Sequence, residues 1–327
     1  MGDGMEAPTR TGTEDVPSPA AVSGDQQESQ KELIGVLLTT IHHFFGSIPS
    51  LFGSIKDPRD SRRIRYPSQS LLFAGVLLFL FRLRARREVG LKLRNGPSAA
   101  KFHALFGVAS FPHGDTVNDH LARLHPEELQ EIPSRLVEML IRKKILYPSR
   151  LLGIYYVLAI DGTGTVTYSR RHCPYCLTRT HGNTTSYYHS VLEAKLVTPH
   201  GFCFSIMSEF IENPGENPTK QDCELKAFYR LAERLHARFP RLPIALALDG
   251  LFAAGSVFDI CSQYEWAFMV TLKDKDLPSV QQEFSALRKL QPQNRLRRIT
   301  REKAEIIQDF LWVDAIDYRD SANRSHT

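Results

Sequence analysis

The sequence predicts a mixed α+β and α/β chain in two parts, a helical N-terminal module followed by a sheet whose strands alternate with helices. Three observations predict it. Between residues 33 and 150 the apolar residues recur at helical spacing, in runs bounded by Gly and Pro. Beyond Gly153, short runs of β-branched and aromatic residues alternate with amphipathic stripes, as in a sheet layered with helices. The charge divides at the same places: residues 1–32 carry a net −5, residues 33–150 a net +9 and residues 151–327 a net +1.

At 327 residues the chain is long enough for about two domains. Its 42% hydrophobic and 24% charged residues exclude wholesale disorder, and five cysteines are too few for a disulfide scaffold. The odd cysteine count suits a reducing compartment. The apolar run Leu71 to Phe81 has eleven residues, against about 20 for a membrane span, and reads as a buried core helix. No charged-then-apolar leader pattern opens the sequence, so the protein is expected in the cytoplasm and not in a membrane.

Residues 1–32 mix Gly, Pro, Ser, Thr and acids without an apolar period, and are expected as a disordered acidic tail. Helices are expected from Leu33 to about Phe45, from Pro67 to Glu88, up to Leu124 with Thr116 or Asn118 as cap, and from Pro126. The last carries Glu127, Glu128 and Glu131 at its start and Arg142, Lys143 and Lys144 near its end, a charge order that suits the helix dipole. Strands are expected at Ile154–Ile160, Tyr187–Val197 and Phe202–Phe210. A helix follows, with Thr219 and Asp222 at capping-box spacing and a stripe through Leu225, Phe228, Leu231, Leu235 and Phe239. Then come a strand at Ile244–Leu248, a short helix at Ala253–Cys261 and a strand at Glu265–Leu272. The expected divisions are therefore 1–32, 33–150, a partial sheet core over 151–272 and a β-rich segment over 273–327.

The strongest chemical feature is a pair of nearly identical words 88 residues apart, Leu158-Ala159-Ile160-Asp161-Gly162 and Leu246-Ala247-Leu248-Asp249-Gly250. Each is an apolar strand ending in Asp-Gly, and ligands bind at such strand ends in open α/β sheets. If the strands are neighbours, Asp161 and Asp249 can share Mg²⁺ or Mn²⁺, whose oxygen preference and paired action suit phosphoryl transfer. Asp-Gly is also the commonest hairpin turn signal, so turn chemistry remains the competing reading.

A second feature is Cys173-Pro174-Tyr175-Cys176 with His181 and His189 downstream, a candidate Zn²⁺ site. The same cysteine spacing also fits a redox pair or a plain turn. A third is the stretch Lys56–Arg94, with eleven basic and three acidic residues. Arg59, Arg62, Arg63 and Arg65 precede the apolar helix and Arg82, Arg84, Arg86 and Arg87 follow it. Guanidinium forks suit phosphate oxygens, so these eight are candidate DNA-binding residues. A merely solvated surface, or the flanks of a membrane-associating helix, is the competing reading.

Asp57-Pro58-Arg59, the word Asp161-Gly162-Thr163-Gly164, the Cys173–Cys176 pair, Lys220-Gln221-Asp222-Cys223-Glu224 and Leu248-Asp249-Gly250-Leu251 occur in that order. In this combination the chain resembles the insertion-sequence transposases of the DDE class, over about residues 35–327. The resemblance implies an RNase H-like catalytic core, with Asp161 and Asp249 as the first two catalytic metal ligands. It also implies double-stranded DNA as partner, at element ends and target, with nucleoid association and homo-oligomers. The third ligand in that family is a glutamate in a Tyr–Arg–Glu–Lys pattern on a later helix. Arg298 and Glu302 have the matching mutual spacing, but Arg295 and Asp309 stand in the Tyr and Lys places. The expectation is thus a DDE transposase truncated before its third acid and its final core helix, and impaired in catalysis. The alternative is a DNA-binding protein without catalysis, a vestigial or inhibitory transposase fragment.

Overall fold

The computed structural model describes residues 39–40, 43–46, 48–80, 82, 88, 100, 103–104, 112–215, 219–273, 276–301, 305–320 and 324–326. The expected acidic tail, the first helix up to residue 38, and Arg84, Arg86, Arg87 and Glu302 lie outside the described residues. By its internal contacts the chain divides after Leu124 into two units. The helix that begins at Pro126 therefore belongs with the sheet unit, although its sequence reads as part of the basic module.

In the first unit, α1 (Ile48–Gly53), a 3₁₀ turn (Ser61–Arg63), α2 (Ser68–Leu80) and α3 (Gly114–Leu121) are described. The apolar run is a helix buried along its first half: Leu71, Leu72, Phe73, Ala74 and Leu77 are buried, whereas Val76, Phe79 and Leu80 are exposed. Phe52 of α1 meets Phe73 edge-on, with centroids 4.6 Å apart. Among the described residues no helix is long and apolar enough to cross a membrane. The helix ends earlier than its pattern suggests, and Arg82 adopts the left-handed backbone at φ 50°. His113, not Thr116 or Asn118, caps α3, its Nδ1 accepting from the Asp115 N–H at 3.3 Å.

The second unit opens with α4 (Pro126–Arg142), which has Pro at its start, Glu127 and Glu128 in its first turn and Arg142 in its last. Ser134, Val137 and Leu140 form its buried stripe, and the Ser134 hydroxyl donates to the Ile206 carbonyl at 2.5 Å. The sheet holds β1 (Tyr156–Tyr168), β2 (Leu177–His181), β3 (Thr184–Val197), β4 (Cys203–Ile211), β5 (Ile244–Asp249) and β6 (Ala267–Thr271). β3 pairs antiparallel with β1, β1 pairs parallel with β5, and β5 pairs parallel with β6. The far edge of β3 is shared: β2 takes residues 184–188 and β4 takes residues 190–197.

Two crossover helices make the parallel pairings possible, because parallel neighbours cannot be joined by a tight turn. α5 (Glu224–Arg238) joins β4 to β5, and α6 (Gly255–Gln263) joins β5 to β6. The α5 stripe buries Ala227, Phe228, Leu231, Ala232 and Leu235, matching the buried Leu158, Ile160, Leu192, Leu196, Ile206 and Leu246 of the strands. Arg230 bridges Glu209 of β4 (2.6 Å) and Asp222 (2.7 Å), and Arg234 reaches the other Glu209 oxygen at 2.6 Å. These ion pairs pin the solvent side of α5 to β4.

Four expectations are corrected here. β1 does not end at Asp161 but runs on to Tyr168, because its exposed outer half continues to pair with β3 as a hairpin arm. The short strand β2 lies between the first two expected strands. The helix α5 starts at Glu224 with Cys223 at its cap, since Asp222 faces Arg230 instead of capping. Residues 273–327 are not β-rich from the start: α7 (Pro278–Leu290) comes first, its apolar Val280, Phe284, Leu287 and Leu290 at helical spacing. The hairpin β7 (Arg295–Arg301) and β8 (Glu305–Leu311) follows, then the short pair β9 (Tyr318–Arg319) and β10 (Ser325–His326).

Phe228 is fully buried and its ring lies 5.4 Å from that of Phe252. Phe228→Ala is expected to lower unfolding free energy by about 3–5 kcal/mol in a denaturant titration. A loss below about 1 kcal/mol would contradict this packing.

Candidate functional site

The parallel ladder pairs Tyr156 with Ile244, Val157 with Ala245, Leu158 with Leu246 and Ala159 with Ala247. The two repeated words are therefore in-register neighbours. Two residues further along each chain stand Asp161 and Asp249. The Asp161 Oδ1 accepts from the Gly162 N–H at 2.8 Å. The Asp249 Oδ1 accepts from the Leu251 N–H at 3.0 Å and so caps the 3₁₀ turn Gly250–Phe252. Turn chemistry and strand-end placement thus coexist at Asp249.

A third carboxylate lies near this pair, although the oxygens of the three acids do not all come within 4.8 Å of one another. Glu224 occupies the first turn of α5, and its carboxyl is pushed above its ordinary value, first by burial and then by the negative charges of Asp161 and Asp249. Its Oε1 lies where a Cβ on residue 162 would fall, so a larger residue there would displace the Glu224 carboxylate. Gly250 is hemmed in the same way by the Asp276 carboxylate. No ion pair among the described residues engages Asp161, Asp249 or Glu224. Their mutual repulsion is relieved by a proton or by a cation, and an oxygen-only donor set suits a hard divalent ion.

Glu224 ends the word Lys220–Glu224 and stands in the first turn of α5, whereas the expected cap at Thr219 would place it a turn further in.

The cysteine pair and one histidine also come together. Cys173 Sγ lies 3.6 Å from Cys176 Sγ, and His189 Nε2 lies 3.3 Å and 3.4 Å from the two sulfurs. His181 is not part of this group. It closes the far end of β2 opposite Thr184, whereas Leu177 at the near end pairs with Tyr188. The strand itself separates His181 from the cysteines.

The arginines serve different ends. Arg59 is a strut: its fork donates to Asp57 at 2.9 Å and 2.6 Å and to the Tyr66 carbonyl at 2.7 Å. These bonds hold the Asp57 carboxyl below its ordinary value. A guanidinium so occupied has its phosphate-binding geometry already filled. Arg62 is exposed, its N–H bonded to Asp60, and Arg63 ends the same 3₁₀ turn. Arg65 lies over the Tyr66 ring at 5.6 Å, and Arg82 is exposed. Arg59 and Arg65 line a cleft of about 470 Å³ with Tyr66, His113, Thr116 and Arg123. Arg123 carries no earlier signal beyond its charge.

No protein-family model matches the chain, and no curated protein matches it.

Because folding raises the Glu224 value, the folded chain holds that proton to higher pH than the unfolded one. Stability therefore falls as pH rises from the ordinary carboxyl range through the raised value. In metal-free buffer at neutral pH, Glu224→Gln is expected to melt above the parent, with the difference vanishing at pH below the ordinary carboxyl range. Superimposable melting curves across this pH range would contradict the cluster.

Proposed function

We propose that this chain acts in DNA transposition by metal-dependent phosphodiester cleavage and strand transfer. Asp161 and Asp249 hold Mg²⁺ or Mn²⁺, and Glu224 supplies the third carboxylate. The observation that carries the reading is that Glu224, at a helix start, closes on Gly162 and lies in the negative field of Asp161 and Asp249 on two paired parallel strands. One ion bound there would polarise a phosphate oxygen, and a second would assist the attacking and leaving oxygens of an in-line displacement. The role of the protein is to fix three carboxylates in a repulsive arrangement that a divalent ion neutralises.

The sheet adds support. Leaving aside the short extra strand β2, the antiparallel β1, β3 and β4, a helix, the parallel β5, a helix and the parallel β6 follow in the order expected of an RNase H-like core. The basic module supplies the attraction to double-stranded DNA, at element ends and target, and the resemblance points to homo-oligomers. A location on the nucleoid follows from DNA binding.

The Arg65–Arg123 cleft favours a second reading, DNA binding without catalysis. One experiment separates the two. The full chain is incubated with supercoiled DNA and Mn²⁺, and nicking is followed beside a low-salt gel shift. Metal-dependent nicking is expected, falling by about 100-fold or more in Asp161→Asn, Asp249→Asn and Glu224→Gln while the gel shift stays. A shift without nicking in the parent chain supports the second reading. Nicking unchanged in the variants contradicts the assignment of the acids.

A further inference from the structure

We propose that Cys173, Cys176 and His189 bind one structural Zn²⁺ that fastens the β1–β2 connection to β3. The distances carry the inference. Zinc bonded to sulfur at about 2.3 Å and to nitrogen at about 2.0–2.1 Å in a tetrahedron requires S···S near 3.8 Å and S···N near 3.5 Å. The observed separations are 3.6 Å, 3.3 Å and 3.4 Å. All three ligand atoms thus already stand close to the corners of one tetrahedral face. The alternative of a disulfide needs S–S near 2.0 Å, and these cysteines are free. Two soft thiolates with an imidazole select zinc over the hard ions suited to the carboxylates.

The fold builds this arrangement deliberately. Leu177 pairs with Tyr188, so Cys176, one residue before the strand, falls beside His189. The Cys176 N–H returns to the Cys173 carbonyl at 3.4 Å and brings the second sulfur round. Opposite His189, the β1 ladder slips between Gly164 and Val166, a bulge that sharpens the local bend. The buried Asn213 donates its amide to the Cys176 carbonyl at 2.8 Å, and its N–H to the Tyr175 carbonyl at 3.0 Å. Tyr168 and His172 stack beside the group at 4.6 Å.

The connection also needs such an anchor. Residues 169–175 contribute no buried side chain, so they have no apolar burial of their own to hold them. A metal supplies order where a core cannot. The fourth corner is left to a solvent water, because among the described residues no other His, Cys, Asp or Glu joins this group. On binding, the two thiols lose their protons to solvent and no redox change occurs.

The test uses the full chain, stripped of metal and titrated with Co²⁺ and with Zn²⁺. One equivalent should bind, with thiolate-to-cobalt charge-transfer bands and the intense d–d absorption of a tetrahedral site. Zinc should displace the cobalt. Cys176→Ser and His189→Ala should lose the spectrum, and His181→Ala and Asp161→Asn should retain it. A parent chain that develops no thiolate bands overturns the site, whatever the variants do. Equal loss in His181→Ala overturns the ligand assignment.

Discussion

Four rungs of parallel pairing between β1 and β5 bring together two carboxylates that lie 88 residues apart. Much else in the second unit follows from that contact. A parallel pair requires a crossover, and α5 is that crossover. Its buried stripe fixes its rotation over the sheet, and the rotation leaves Glu224 near Asp161 within β1 and Asp249 at the end of β5. The glycines at 162 and 250 each leave space into which a carboxylate closes. Like charges gathered in this way oppose folding in the absence of a counter-ion, so the arrangement makes physical sense as a cation site.

The two proposed metal sites follow opposite chemistries. The carboxylates offer only hard oxygen donors, and a cation there would relieve their repulsion. The Cys173–Cys176–His189 group is soft, and Cys176 within it is fully buried. It shapes a loop that has no core of its own. The first unit adds a third device, in which the Asp57–Arg59 fork and the buried Ser68–His120 hydrogen bond at 2.8 Å hold a turn against its helices. There, charge serves structure, and a basic sequence word turns out to be partly a framework.

Much of this was legible in the sequence where one residue pattern had one cheap explanation. The stripe Leu225–Phe239 could only be an amphipathic helix, and the twin words ending in Asp161 and Asp249 proved to be in register because an identical pattern buries identically. Other parts were hidden because their cause is long-range. Glu224 stands out only because the charges of Asp161 and Asp249, distant in sequence, act on it. Asp222 has good capping chemistry, but Arg230 offers it a charged partner. His181 and His189 look equivalent along the chain, and only the β2–β3 register distinguishes them. Arg59 resembles its neighbouring arginines until Asp57 fills its fork. The helix α7 lacks any buried residue, so its apolar spacing had little contrast to reveal it.

The central claim is that Asp161, Asp249 and Glu224 form one divalent-cation site. The most direct measurement is anomalous diffraction from crystals of the full chain soaked in Mn²⁺. The account predicts a manganese peak within inner-sphere distance of carboxylate oxygens from both aspartates, with Glu224 turned toward it. Ordered carboxylates with no manganese between them, in crystals that take up the ion elsewhere, would contradict it.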